Sequence, residues 1–214
     1  LENNTSNKYY FGKDFNIAKS ENGFIQYEDG LGELVLPEPS ILGDHQLYNI
    51  STSIAASRKI FNIKDENIMD GIKNVSLKAR LEEIKSGKLK DIAGNNKLMI
   101  DGGHNISASF SIANWVKNQN EEVNLILGMM KDKEHVEFIK AFENIVNSIT
   151  LIDIPNQDGA ISKEDFKKKL DNSKLNLKLS NGIEESIKSL SKNENTIILC
   201  VGSLYLAGEI LSLN

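Results

Sequence analysis

Leu98-Met99-Ile100-Asp101-Gly102-Gly103-His104-Asn105 is a short apolar run that stops at an acid, passes two glycines and ends in a histidine and an asparagine. This order predicts a strand over 97–100, closed by Asp101, and a helix opening at Asn105, since Asx side chains cap helices and paired glycines break regular structure. The same rhythm continues toward the C-terminus. Strands are expected at 123–127, 149–154, 175–179 and 196–201, with helices at 105–117, 133–146, 162–170, 183–191 and 204–213. Apolar strands alternating with amphipathic helices define an α/β class with a mostly parallel sheet, and right-handed crossovers place helices on both of its faces. No internal repeat or low-complexity linker interrupts the pattern.

Toward the N-terminus the pattern changes near residue 76. Short aromatic and aliphatic runs at 9–11, 23–27 and 33–36, separated by Gly and Asp, predict antiparallel strands. Helical spacing of Leu47, Ile50, Ile54 and Ala55 predicts a helix over 44–60 with Asp44 as cap, and a second helix follows at 65–75. Two domains are expected, 1–75 and 76–214.

The chain has 214 residues, 40% hydrophobic and 26% charged, with 3 Pro and 1 Cys. A chain of this size buries roughly 70% of its unfolded surface and needs no disulfide or metal staple. Cys200, inside the run Ile197–Val201, is expected to pack as a small hydrophobe in a reducing compartment. The net charge of −5 argues against a broad nucleic-acid footprint. No run reaches the ~20 apolar residues of a membrane span. Nucleic-acid and membrane partners are therefore not expected, and a cytoplasmic location and a monomeric state are. The chain opens at Leu1 without Met, on a polar, Asn-rich stretch, which suggests a fragment.

Several polar groups fall where ligands of open α/β sheets bind, beyond the carboxyl ends of the strands. Asp101 can accept hydrogen bonds from ribose hydroxyls, the two glycines permit close backbone approach, and the following helix start favours anions. The same residues also suit a plain turn and helix cap. Asn49, in Gly43-Asp44-His45-Gln46-Leu47-Tyr48-Asn49, carries an amide that matches an adenine edge; an ordinary helix start explains it equally. Arg80, in Ala79-Arg80-Leu81-Glu82, could clamp a phosphate through its planar fork or be merely solvated. The segments Gly128-Met129-Met130-Lys131-Asp132-Lys133 and Gly202-Ser203-Leu204-Tyr205 add polar groups at further strand ends.

Taken in order, G-x-H-Q-x-x-N at 43–49, A-R-L-E at 79–82, D-G-G-H-N at 101–105, G-M-M-K-D-K at 128–133 and G-S-L-Y-L-A-G-E at 202–209 resemble folylpolyglutamate synthase and dihydrofolate synthase, members of the Mur ligase superfamily. The resemblance runs from Phe11-Gly12-Lys13-Asp14-Phe15 to Gly208 and Glu209. Gly103 stands where that family commonly has Ala, Ile106 where it has Pro, and Ala79 where it has Gly. No G-x-x-x-x-G-K-[ST] loop is present.

The resemblance implies that 1–75 is the end of a Mur-type ATPase domain, of short strands plus two helices, and that 76–214 is a Rossmann-like C-terminal domain. It implies ATP contacts from Asn49, Arg80, Asp101 and His104, catalytic roles for Asp101 and His104, and a glutamate-side role for Ser203. Asn49 would then face Arg80 and Asp101 over a shared nucleotide crevice. The implied reaction is ATP-dependent addition of L-glutamate to dihydropteroate or a folate through an acyl phosphate. Mg²⁺ ligands and the phosphate loop are expected in an N-terminal region missing here, so the fragment alone is expected to be inactive. Another Mur-type amino-acid ligase, or a non-catalytic nucleotide-binding remnant, are the alternatives.

Overall fold

The computed structural model of the chain describes residues 8–20, 22–43, 45–170 and 175–214. It divides into two compact units, Leu1–Ser76 and Leu77–Asn214.

In unit 1, β1 (Phe15–Lys19), β2 (Phe24–Asp29) and β3 (Gly32–Pro37) form an antiparallel sheet in that order, followed by α1 (His45–Ile60) and α2 (Asp65–Asn74). One side chain in two along each strand points inward, as the pleat requires. Phe15, Ile17, Ile25, Tyr27, Leu34 and Leu36 thus make one apolar face, packed with Ile50, Ile54 and Ala55 of α1 and with Ile68 and Ile72 of α2. The first strand was expected at 9–11 and instead starts at Phe15. Gly12 sits at φ 78°, Lys13 N–H donates to Tyr10 C=O at 3.2 Å and Asp14 Oδ2 accepts from Tyr10 N–H at 2.8 Å, so a tight turn occupies those residues. The expected cap Asp44 lies outside the described residues.

Unit 2 contains β4 (Glu82–Ile84), α3 (Lys88–Ala93), β5 (Lys97–Ile100), α4 (Ile106–Lys117), β6 (Val123–Leu127), α5 (His135–Lys140), β7 (Ser148–Leu151), α6 (Lys163–Lys169), β8 (Leu177–Leu179), α7 (Ile183–Leu190), β9 (Ile197–Val201) and α8 (Leu204–Leu213). Six strands line up as β4-β5-β9-β6-β7-β8, all neighbours parallel except the antiparallel pair β4 and β5. The fold is α/β with a mostly parallel sheet. The last strand, β9, sits between β5 and β6, so the carboxyl ends of β5, β9 and β6 lie side by side.

Burial explains the continuous apolar runs. In β6 and β9 every residue is buried, because helices cover both faces. Met99, Leu125, Leu127, Leu199 and Val201 pack on one side with Ile112 of α4, Phe138 of α5 and Phe166 of α6. Leu98, Ile100, Ile126, Ile198 and Cys200 pack on the other with Leu89 of α3, Ile187 of α7 and Ile210 of α8. Full burial pushes the Cys200 thiol up to about 12, which leaves it protonated and unreactive.

Three local features depart from expectation. Strand β4 and helix α3 were not anticipated, since Glu82 and Glu83 mask the strand. Helix α3 begins at Gly87 without a side-chain cap of its own; Asn214 supplies one, its Oδ1 accepting from Leu89 N–H at 3.1 Å while its Nδ2 donates to Ser86 C=O at 2.8 Å. The helix expected over 133–146 stops at Lys140 and gives way to turns that bring Asn144 to φ 62°.

Candidate functional site

The site residues of unit 2 converge because three loops are stitched together at the carboxyl edge of the sheet. Gly102 N–H donates to Ala79 C=O at 2.9 Å, and Gly202 N–H donates to Gly103 C=O at 3.0 Å. A Cβ on Gly102 would lie 2.2 Å from Leu204 Cδ2, so a larger residue there would have to push the exposed Leu204 side chain aside. Arg80, Asp101, His104 and Ser203 are thereby gathered at one edge. Asn49 belongs to α1 of unit 1.

Asp101 is 5% exposed. Its Oδ2 accepts from Leu81 N–H at 2.9 Å and its Oδ1 from Gly103 N–H at 2.6 Å. His104 is half-buried, with Nδ1 3.0 Å from Gly102 C=O. A carbonyl can only accept, so Nδ1 carries the proton and Nε2 is left to meet a ligand. Asn105 caps α4, its Oδ1 accepting from Ala108 N–H at 2.9 Å. The plain cap assigned to Asn105 in the turn-and-cap reading is therefore present, and Asp101 has a backbone role besides any ligand role.

Arg80 is half-exposed and has no hydrogen-bond or ion-pair partner among the described residues. Its neighbours Ala79 and Leu81 are buried, at φ 54° and φ 45°. Ser203 is 2% exposed and caps α8, its Oγ accepting from Tyr205 N–H at 3.1 Å. The helix start presents further backbone N–H groups beside the β5 loop. Asn49 is exposed on α1 and donates through Nδ2 to Gln46 Oε1 at 3.0 Å, which leaves its own Oδ1 available.

Lys131 and Asp132 acquire distinct parts. Lys131 Nζ donates to Asp158 C=O at 2.9 Å and its N–H to Gly159 C=O at 2.8 Å, so it ties the β6 loop to the segment before α6. The Lys133 ammonium, 2.8 Å away, holds the Asp132 carboxyl below its ordinary value, and the charge of His104 acts in the same direction. Among the described residues, no group of three or more His, Cys, Asp or Glu side chains is placed to hold a metal ion, and no helix is long and apolar enough to cross a membrane.

His135 was not singled out from sequence, and only tertiary packing makes it notable. It is 3% exposed, with Nε2 3.0 Å from Met130 C=O and Nδ1 3.3 Å from Lys169 Nζ. Burial, and then the Lys169 charge, push its pKa down. Below about pH 6.5 the unfolded chain takes up a proton that the folded chain refuses, so stability falls as pH drops through that value toward the lower folded one. Urea unfolding at pH 7.5 and 5.5 should show this decline, and H135Q should reduce it; an equal decline in the variant would remove His135 as its source.

The adjacent strand ends of this open α/β sheet thus gather a guanidinium with no partner among the described residues, a histidine and two helix starts, at the edge where ligands of such sheets bind. Residues 87–213, more than half of the chain, match the family described as dihydrofolate synthetase, C-terminal domain, and the chain belongs to that family. The dihydrofolate synthase/folylpolyglutamate synthase of Bacillus subtilis is 26% identical over 181 residues, 80% of this chain and 39% of that protein. Among solved structures, Mycobacterium tuberculosis folylpolyglutamate synthase complexed with ADP and AMPPCP superposes with a TM-score of 0.78 at 19% identity, over 95% of this chain and 48% of that one. E. coli FolC in complex with DHPP and ADP gives 0.75 at 18%, over 95% and 46%. The chain spans about half the length of these relatives or less.

Proposed function

We propose that this chain supplies the C-terminal part of an ATP-dependent ligase that adds L-glutamate to dihydropteroate, to folates, or to both. The observation that carries the reading is the gathering of Arg80, His104 and the start of α8 on one edge of a sheet belonging to the dihydrofolate synthetase family. The nucleotide complexes of the related structures support it. The residues fit a nucleotide: Arg80 has a planar cationic fork that no described side chain engages, and His104 turns Nε2 away from its own backbone partner. Arg80 is assigned to the phosphates, His104 to the nucleotide side of the site with Asp101 behind it shaping that edge, and Asn49 to a further nucleotide contact through its exposed amide. Ser203, by starting α8, offers backbone N–H groups to the anionic amino-acid substrate.

The chemistry needs an activated carboxylate, because a free carboxylate is a poor electrophile. A carboxylate oxygen takes the γ-phosphoryl group with ADP leaving; the amine nitrogen then attacks the acyl carbon, phosphate departs with that oxygen, and the amine proton is lost. Arg80 would offset charge on the transferring group, and the buried floor of Gly102, Gly103 and Ser203 would limit water. This chain's assigned contribution is cationic and hydrogen-bonding, through Arg80, His104 and the backbone N–H groups at the start of α8. The 214 residues alone are expected to be inactive.

The test is ADP release by the longer protein containing this chain, with L-glutamate and dihydropteroate or folate. R80A should lower kcat/KM for ATP about 10²-fold, the scale of losing one transition-state donor. ADP release that responds only to another amino acid would assign the chain to a different ligase, and an absence of turnover in the complete protein would reject an enzymatic role.

A further inference from the structure

We propose that Asp101 is a positioning residue whose carboxylate holds the Arg80 loop in shape, so that its removal disables Arg80. This rests on the reading of Arg80 as a phosphate contact and adds how that contact is held in place.

Ala79 and Leu81, on either side of Arg80, both lie in the left-handed region, at φ 54° and φ 45°. Side chains with a Cβ rarely occupy it, so a loop with two such residues persists only where its surroundings over-determine it. Four constraints do so. Asp101 Oδ2 accepts from Leu81 N–H at 2.9 Å, and Gly102 N–H donates to Ala79 C=O at 2.9 Å. Glu82 Oε2 accepts from Ala79 N–H at 2.8 Å. The two side chains are buried in opposite cores, Ala79 with Ile100 and Ile126, Leu81 with Met99 and Leu127. Arg80, between them, is left with its side chain half-exposed.

Of these constraints, Asp101 alone joins the loop to the strand end by a charged side chain. A buried carboxylate accepting two backbone N–H bonds is held in one rotamer, and its other oxygen fixes Gly103 at 2.6 Å. The Arg80 loop and the His104 loop are therefore registered to one another through this side chain as well as through the Gly102–Ala79 backbone bond. Local sequence offers no sign of this, since Leu81 and Asp101 are far apart along the chain.

The test uses the longer protein and measures ATP kinetics for R80A, D101A and the double variant, with ATP and 2′-deoxyATP, together with amide exchange at Leu81. The expected result is that each single variant lowers kcat/KM for ATP about 10²-fold and that the double variant is no more than a few-fold worse than either, since the two act as one unit. The preference for ATP over 2′-deoxyATP should be unchanged in D101A, and Leu81 amide protection should be lost in D101A but kept in R80A. Multiplying losses, a collapse of ribose preference, or a Leu81 amide still protected in D101A would each overturn the proposal. If D101A does not fold, D101N, whose amide can accept only one of the two N–H bonds, is used instead: amide protection at Leu81 or at Gly103 should be lost together with kcat/KM for ATP, and protection kept at both would overturn the proposal. If R80A leaves ATP kinetics untouched, the phosphate assignment itself fails, whereas Leu81 exchange still reports whether Asp101 holds the loop.

Discussion

Arg58→Ala should destabilise unit 1 by about 3–5 kcal/mol, the range for removing one partner of a buried ion pair. Arg58 Nη1 donates to Asp29 Oδ1 at 2.8 Å and to Gly32 C=O at 3.0 Å, with side chains 7% and 2% exposed. Its Nε lies 3.4 Å from Asp65 Oδ1. Tyr27 O–H donates to Asp29 Oδ2 at 3.0 Å, and burial followed by that carboxylate drives the Tyr27 pKa upward. The pair therefore joins α1 to the β2–β3 hairpin and to the start of α2. Without the guanidinium, Asp29 remains a buried charge with, among the described residues, Tyr27 O–H and Leu31 N–H left to satisfy it. Against a total of about 5–15 kcal/mol for a typical domain, that loss is large. Urea denaturation followed by amide exchange in each unit would measure it. The double variant R58M/D29L, which removes both charges, should recover part of the loss; a single-variant cost below about 1 kcal/mol would show that the pair contributes only as a surface bridge does.

Gly202→Ala should cost about 2–5 kcal/mol, combining left-handed strain with overpacking. Gly202 sits at φ +104°, and a Cβ there would lie 2.6 Å from Leu127 Cδ1, 2.7 Å from Gly128 C=O and 2.8 Å from Met129 Cγ. The oxygen is backbone and cannot swing aside. Relief would have to come from moving the end of β9, and with it Ser203 and the start of α8. Gly208→Ala is the matched control. That glycine lies within α8, a Cβ there would meet nothing within 4 Å, and the replacement should stabilise by about 0.5–1 kcal/mol. Chemical denaturation of the two variants should shift in opposite directions. A neutral G202A would show that the strand end can yield without strain, and would remove the steric reason for glycine at that position.

The Gly202 result bears on how the carboxyl edge of the unit 2 sheet is held in shape. Gly202, Gly102 and Gly103 bring three backbone segments together, and buried hydrogen bonds then set the direction of the exposed groups. Among the described residues, the guanidinium of Arg80 and the Nε2 of His104 are left without a partner at this edge.

The sequence determined the class of fold because its periodicities are local. Runs such as Val123–Leu127 and Ile197–Val201 are continuous where helices cover both sheet faces, and Ile50, Ile54, Ile68 and Ile72 recur at helical spacing. The order of the five motifs also identified the family to which the chain belongs. Tertiary structure decided what depends on distant partners. Strand β4 is hidden by its two glutamates and exists through pairing with β5, while α3 is capped by Asn214 from the far end of the chain. Asp101 read as a ligand contact from its place after a strand, yet its two backbone bonds could not be seen, because the left-handed turn around Arg80 has no glycine to announce it. Propensity speaks for residues near in sequence; a buried carboxylate answers to whatever N–H groups the fold brings to it.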